Sequence, residues 1–163
     1  RDIFFLNQKS EPATEAIKEA IDLLDTLKAN EAGCVGMAAN MIGAKKRIIA
    51  VNMGMFNIAM FNPKIVKHTG VYDGRGVSVI RWSAKLQSYQ EIEVEYQDMN
   101  FKKKKEKYSG WTAQIIQHEI DHCDGILNKF YLCIEEVHRM DFKYCKLEIF
   151  IPETHISQLQ KAS

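Results

Sequence analysis

A chain of 163 residues with 46% apolar and 26% charged residues, three prolines and nine glycines has the size and mix of one globular domain. A multidomain assembly, a disordered polymer and a collagen-like or repeat fibre are excluded. Lys plus Arg number 22 against 21 Asp plus Glu, so the net charge is +1 and no whole-molecule field draws in nucleic acid or an acidic membrane.

The opening Arg-Asp-Ile-Phe-Phe-Leu is too short an apolar block for a signal peptide, so export is not expected. Ser10 and Thr14 offer helix starts, Pro12 suits a first turn, and Ala13, Ile17, Ala20, Ile21, Leu24 and Leu27 recur every three or four residues. This spacing predicts an amphipathic helix over residues 12–29. It stops before Gly33, and Gly36-Met-Ala-Ala-Asn-Met-Ile-Gly43 follows, a small-residue segment in which backbone can approach another backbone or a ligand closely. That segment is a candidate site.

From Arg47 to Tyr96 the pattern turns to short apolar runs, predicting strands over 48–53, 58–61, 65–66, 77–80 and 92–96. The longest uncharged stretch, Ile48 to Pro63, is shorter than the ~20 residues of a spanning helix, so no membrane segment is expected. Gln97-Asp-Met-Asn100 supplies a turn, and the basic run Lys102 to Lys107 then reads as the second strand of a hairpin. Without interleaved aromatics, the lysines suit a charged sheet edge better than a nucleic-acid surface.

Trp111, Ile115, Ile116 and Ile120 return to helical spacing and predict a helix over 111–123. Beyond Gly125 the segment Phe130 to Phe142 reads as helix and Leu147 to Ile151 as a strand stopped by Pro152. Cys34, Cys123, Cys133 and Cys145 repeat no disulfide framework or zinc knuckle, so free thiols in a reducing cytoplasm are expected. No linker divides the chain, and one domain over 1–163 is predicted.

His118-Glu-Ile-Asp-His122 puts two imidazoles four residues apart, on one helix face, where both can ligate one metal ion. Glu119 stands as in other H-E-x-x-H helices, placed to take a proton from an activated water and deliver it to a leaving nitrogen. The competing reading is an exposed polar helix face. Two histidines alone hold a catalytic ion poorly, because such sites usually have three protein ligands and a water.

With Gln117 before the first histidine, and with the Gly36-Met-Ala-Ala segment upstream, the chain resembles the peptide deformylase family over about residues 10–127. That family shows a Gly-x-Gly-Leu-Ala-Ala-x-Gln loop, a Glu-Gly-Cys-Leu-Ser strand and a Gln-His-Glu-x-Asp-His helix, in this order; the third is matched fully and the first in part. The resemblance implies an α+β fold with antiparallel sheets packed around a central helix carrying the H-E-x-x-H motif. It implies a divalent ion (iron, zinc or similar) on His118 and His122, Glu119 as the catalytic group, and an N-formylmethionyl peptide or nascent chain as substrate. A substrate pocket would be built by Gly36, Met41, Ile42, Val77, Ser78, Trp111 and Ile115, although core packing is the stronger reading of Ile42, Trp111 and Ile115.

Two departures stand out. The middle signature falls on Gly74-Arg-Gly-Val-Ser-Val79, where Gly76 or Val77, by register, occupies the position of the ligating cysteine. Met41 replaces the glutamine that ends the first signature, and losing one oxyanion donor costs about 3 kcal/mol, or ~100-fold in rate. A backbone N–H of Ser78 or Val77 would remain as a donor. The expectation is a deformylase-like metal hydrolase with weakened turnover and a weakly held ion; the alternative is an inactive homologue serving as a peptide-binding or regulatory protein. Residues 128–163 diverge from the family pattern, and nothing in the sequence supports a membrane, a specific nucleic acid or a ribosome contact.

Overall fold

The computed structural model of the chain describes residues 3–71, 79–81, 89–126 and 130–132. A short helix α1 (Ile3–Leu6) precedes the amphipathic helix α2 (Ile17–Ala29). Strand β1 (Gly36–Ala38) runs into one 3-10 turn (Ala39–Ile42), followed by β2 (Ile48–Asn52), β3 (Asn57–Val71), β4 (Val79–Arg81), β5 (Tyr89–Gln97) and β6 (Lys103–Ser109). Helix α3 (Gly110–Cys123) carries the histidine pair, and β7 (Phe130–Leu132) comes last. The main sheet has the order β1-β2-β3-β5-β6, antiparallel throughout, and β4 pairs with β7 in a separate two-stranded ladder. The architecture is α+β, as the sequence predicts.

Strand β2 explains the layering. Its Ile-Ile-Ala-Val run lacks polar alternation because both faces are covered. Ile48 and Ala50 pack with Ala20, Leu23 and Leu27 of α2, whereas Ile49 and Val51 pack with Ile116, Ile120 and Cys123 of α3. The central strands therefore lie between the two helices, and α3 is fixed along its apolar stripe while its polar face is left for chemistry.

Local departures from the predicted elements have identifiable causes. Helix α2 begins at Ile17 and not at residue 12, because the Ala13 N–H donates to Asn62 Oδ1 and its carbonyl accepts from Asn62 Nδ2, both at 2.8 Å. Those two bonds hold Ala13 outside the helix. Asn62 adopts φ 52° within a register shift between Phe61 and Lys64, so the two runs predicted on either side of Asn62-Pro63 form one bulged strand. In the tail, Phe130–Leu132 is a strand paired with Val79–Arg81, which corrects the helical expectation there; the remaining elements expected over 133–151 lie outside the described residues.

The hairpin after β5 is as expected. The Asp98 carboxylate accepts from the N–H groups of Asn100 and Lys102, and Phe101 takes the left-handed conformation at φ 57°. Strand β6 is the edge of the sheet, and its lysines oppose the glutamates of β5: Lys105 lies 3.6 Å from both Glu93 and Glu95, while Lys67 of β3 approaches Glu93 from the other side at 3.9 Å. Each exposed pair contributes little stability, but together they turn the basic run into a charge-balanced edge. No helix among the described residues is long and apolar enough to cross a membrane.

Candidate metal centre

Helix α3 brings His118 and His122 onto one face, with Nε2 to Nε2 at 3.0 Å and the ring planes at 82°. The two Nε2 atoms lie within hydrogen-bond distance of each other. Tetrahedral ligation at about 2.0–2.1 Å puts two imidazole nitrogens about 3.3 Å apart, so moving the rings apart by a few tenths of an ångström opens the pair to one ion. Burial pushes the His122 value down to about 4, which keeps its imidazole neutral at ordinary pH and its lone pair ready for a cation.

Glu119 is 3% exposed, and burial pushes its carboxyl up to about 8. Its Oε2 has no hydrogen-bond partner among the described residues. Without a nearby cation this carboxyl holds a proton; a positive ion beside it would favour the carboxylate. An acid that changes protonation state on demand near neutral pH suits proton transfer.

The position of Glu119 depends on Gly36. A Cβ on Gly36 would stand 2.7 Å from Ile115 Cγ2, 2.9 Å from Glu119 Oε1 and 3.0 Å from Glu119 Cγ, so β1 can pass α3 this closely only with a glycine there. We expect Gly36→Ala to displace the carboxylate, lowering stability by about 1–3 kcal/mol and reducing hydrolysis further than the loss of folded protein explains; thermal melting and kinetics on the same preparation check both.

Ile115, only 6% exposed, touches this junction from the α3 side. Ile42 packs instead with the core cluster on the α2 side of the sheet, and Met41 is half-buried in the 3-10 turn. Trp111, in the first turn of α3, is 54% exposed and so is not the core residue its spacing suggests. Val77 and Ser78, with Gly76, lie outside the described residues.

Among the described residues no group of three or more His, Cys, Asp or Glu could hold an ion. Cys34 Sγ donates to the Gly36 carbonyl and Cys123 Sγ to that of Ile48. Burial pushes the Cys123 thiol up to about 12, far from the thiolate a metal needs. The histidine pair thus fits two positions of a divalent ion, and the cysteines described do not complete it.

Two residues of the site escaped the sequence reading. Gln117, next to His118, is buried with its side-chain amide bonded to the Tyr89 backbone: Nε2 donates to the carbonyl at 2.9 Å and Oε1 accepts from the N–H at 2.8 Å. It fastens α3 to the start of β5. Asn40 reaches the other end of the helix, where its Nδ2 donates to the His122 carbonyl at 2.8 Å. Gln117 stands within the quoted motif, which was the available signal; for Asn40 there was only its place among small residues.

The chain is similar in sequence and fold to known proteins. The family model described as polypeptide deformylase matches residues 4–137. The peptide deformylase of Clostridium beijerinckii is 50% identical over 130 residues, covering 78% of this chain and 95% of that protein, and that of Dictyoglomus turgidum is 35% identical over 123 residues, covering 74% and 79%. Among solved structures, peptide deformylase from Thermus thermophilus superposes with a TM-score of 0.63 at 27% identity, covering 97% of this chain and 93% of that one. The enzyme from Vibrio parahaemolyticus bacteriophage VP16T, in complex with actinonin, gives a TM-score of 0.59 at 27% identity, covering 75% and 92%.

Proposed function

Because the chain belongs to the polypeptide deformylase family, a family of metal-dependent hydrolases, we propose that His118 and His122 hold its divalent ion and that Glu119 moves the proton during deformylation. The reaction is peptide deformylation: water adds to the formyl carbon of an N-formylmethionyl peptide, the C–N bond breaks, and formate and a free amine leave. The observation that carries the site assignment is the 3.0 Å convergence of two imidazole nitrogens on the helix that also carries a buried, proton-holding carboxyl.

The bound ion supplies Lewis-acid polarisation and acidifies water. Everything else falls to the chain. His122 offers a neutral nitrogen, because burial lowers its value to about 4. Glu119 takes a proton from the attacking water and returns it to the departing nitrogen, so it ends each cycle as it began. Exclusion of bulk water around its carboxyl, evident from its burial, strengthens each of these interactions. Met41 has no side-chain hydrogen-bond donor, so oxyanion stabilisation would fall to other groups. The substrate class includes nascent chains, and the free buried thiol of Cys123 suits a reducing cytoplasm. A buried acid on the helix that carries the histidine pair has no evident use in a protein that only binds peptide, which argues against the non-catalytic reading.

The test is formate release from a formyl-Met peptide by zinc- or iron-loaded protein. Turnover should vanish on chelation and return when the ion is restored. Absence of formate release from protein shown to carry one ion per chain would overturn the reading.

A further inference from the structure

The end of α3 is fastened from three directions. The N–H of Ser10 donates to the Cys123 carbonyl at 2.7 Å, the Arg47 guanidinium pairs with Asp124, and Asn40 Nδ2 donates to the His122 carbonyl at 2.8 Å. The His122 carbonyl also accepts from the Gly125 N–H at 3.1 Å, so Asn40 is its second donor and ties it to a segment outside the helix. Only one of these three contacts lands on the peptide of a histidine that faces the paired imidazole. Asn40 is 1% exposed, and a carbonyl acceptor requires that the atom facing it be the amide nitrogen. Its Oδ1 is buried without a hydrogen-bond partner among the described residues, so the amide is retained at the cost of one unsatisfied acceptor. Leucine would fill the space without that cost, which points to the N–H as the reason for an amide here.

We propose that Asn40 is a positioning residue for His122: by holding the His122 carbonyl to the turn that follows β1, it fixes the backbone from which the imidazole reaches toward His118. This rests on the histidine pair being the ion site. The bond spans 82 positions of sequence, and it joins the segment containing Gly36, which accommodates Glu119, to the segment containing the second imidazole. Carboxyl and imidazole are thereby registered against one short stretch of chain.

The experiment measures zinc dissociation constants of the metal-free protein by competition with a chromophoric chelator, together with thermal melting, for wild type, Asn40→Asp, Asn40→Leu and Arg47→Gln. Asn40→Asp keeps size and removes the donor; Asn40→Leu removes all polarity; Arg47→Gln loosens the same helix end without touching the His122 peptide. Both Asn40 variants are expected to bind zinc about 10–100-fold more weakly, the range typical when a group supporting a ligand is lost, while Arg47→Gln melts lower with affinity within about threefold of wild type. A folded Asn40 variant with wild-type affinity, or an Arg47→Gln loss as large as theirs, overturns the proposal. Should neither Asn40 variant fold, the wild-type protein decides: the Asn40 side-chain amide protons should shift and exchange more slowly when zinc is added, and unchanged resonances would count against the role. If wild type itself binds no zinc, it is the assignment of the ion site that fails, a result separable from equal affinities across the series.

Discussion

Glu119→Gln should lower deformylation of a formyl-Met peptide by about 10²–10⁴-fold while the protein keeps its metal ion, because the amide preserves shape and removes the proton carrier. The same substitution should change stability against pH in a defined direction. In the metal-free protein the folded state holds the Glu119 proton to about pH 8, whereas an unfolded glutamate releases it near 4.5. Between those values the unfolded state binds fewer protons, so stability falls as pH rises from 4.5 to about 8. Glu119→Gln removes that decline. His122 acts oppositely: its folded value of about 4 lies below the ordinary 6.5, so stability is lost as pH falls from 6.5 toward 4. Denaturant melts of the metal-free protein should therefore show a plateau between about 4.5 and 6.5 from these two groups, with the alkaline slope missing in the glutamine variant. A variant that keeps full turnover, or an unchanged alkaline slope, would remove Glu119 from its assigned role.

Replacing either imidazole should have the second large effect. His118→Ala and His122→Ala are each expected to weaken zinc binding by more than about 100-fold, since loss of a supporting group alone costs about 10–100-fold and a ligand contributes more directly. Turnover at limiting metal should fall in parallel and recover partly at high metal concentration. Equilibrium dialysis with metal analysis reads the first effect, and formate release at two zinc concentrations reads the second. Retention of wild-type affinity by both alanine variants would place the ion elsewhere.

Much of the site's chemistry was legible because it is local. The spacing of four between His118 and His122 dictates a shared helix face whatever the surroundings, and the two rings do meet. The same holds for the turn at Asp98 and for the edge lysines, whose alternation with opposing glutamates follows from strand geometry. What stayed hidden depends on partners distant in sequence. Nothing near Ala13 announces that Asn62 will claim both its backbone groups and delay α2. Nothing near Asn40 announces a bond to His122, and nothing in β1 shows that Gly36 must make room for Glu119. Burial likewise inverted one expectation, since helical spacing placed Trp111 in the core and the first turn of α3 leaves it half exposed. Local periodicity decides which residues share a face; which faces meet is a property of the folded chain.

The account turns on two imidazole nitrogens gripping a single cation. X-ray absorption spectroscopy of the zinc-loaded protein tests this most directly: two imidazole scatterers at about 2.0–2.1 Å are predicted, falling to one in His122→Ala. A spectrum without imidazole ligation, or one that the substitution leaves unchanged, would contradict it.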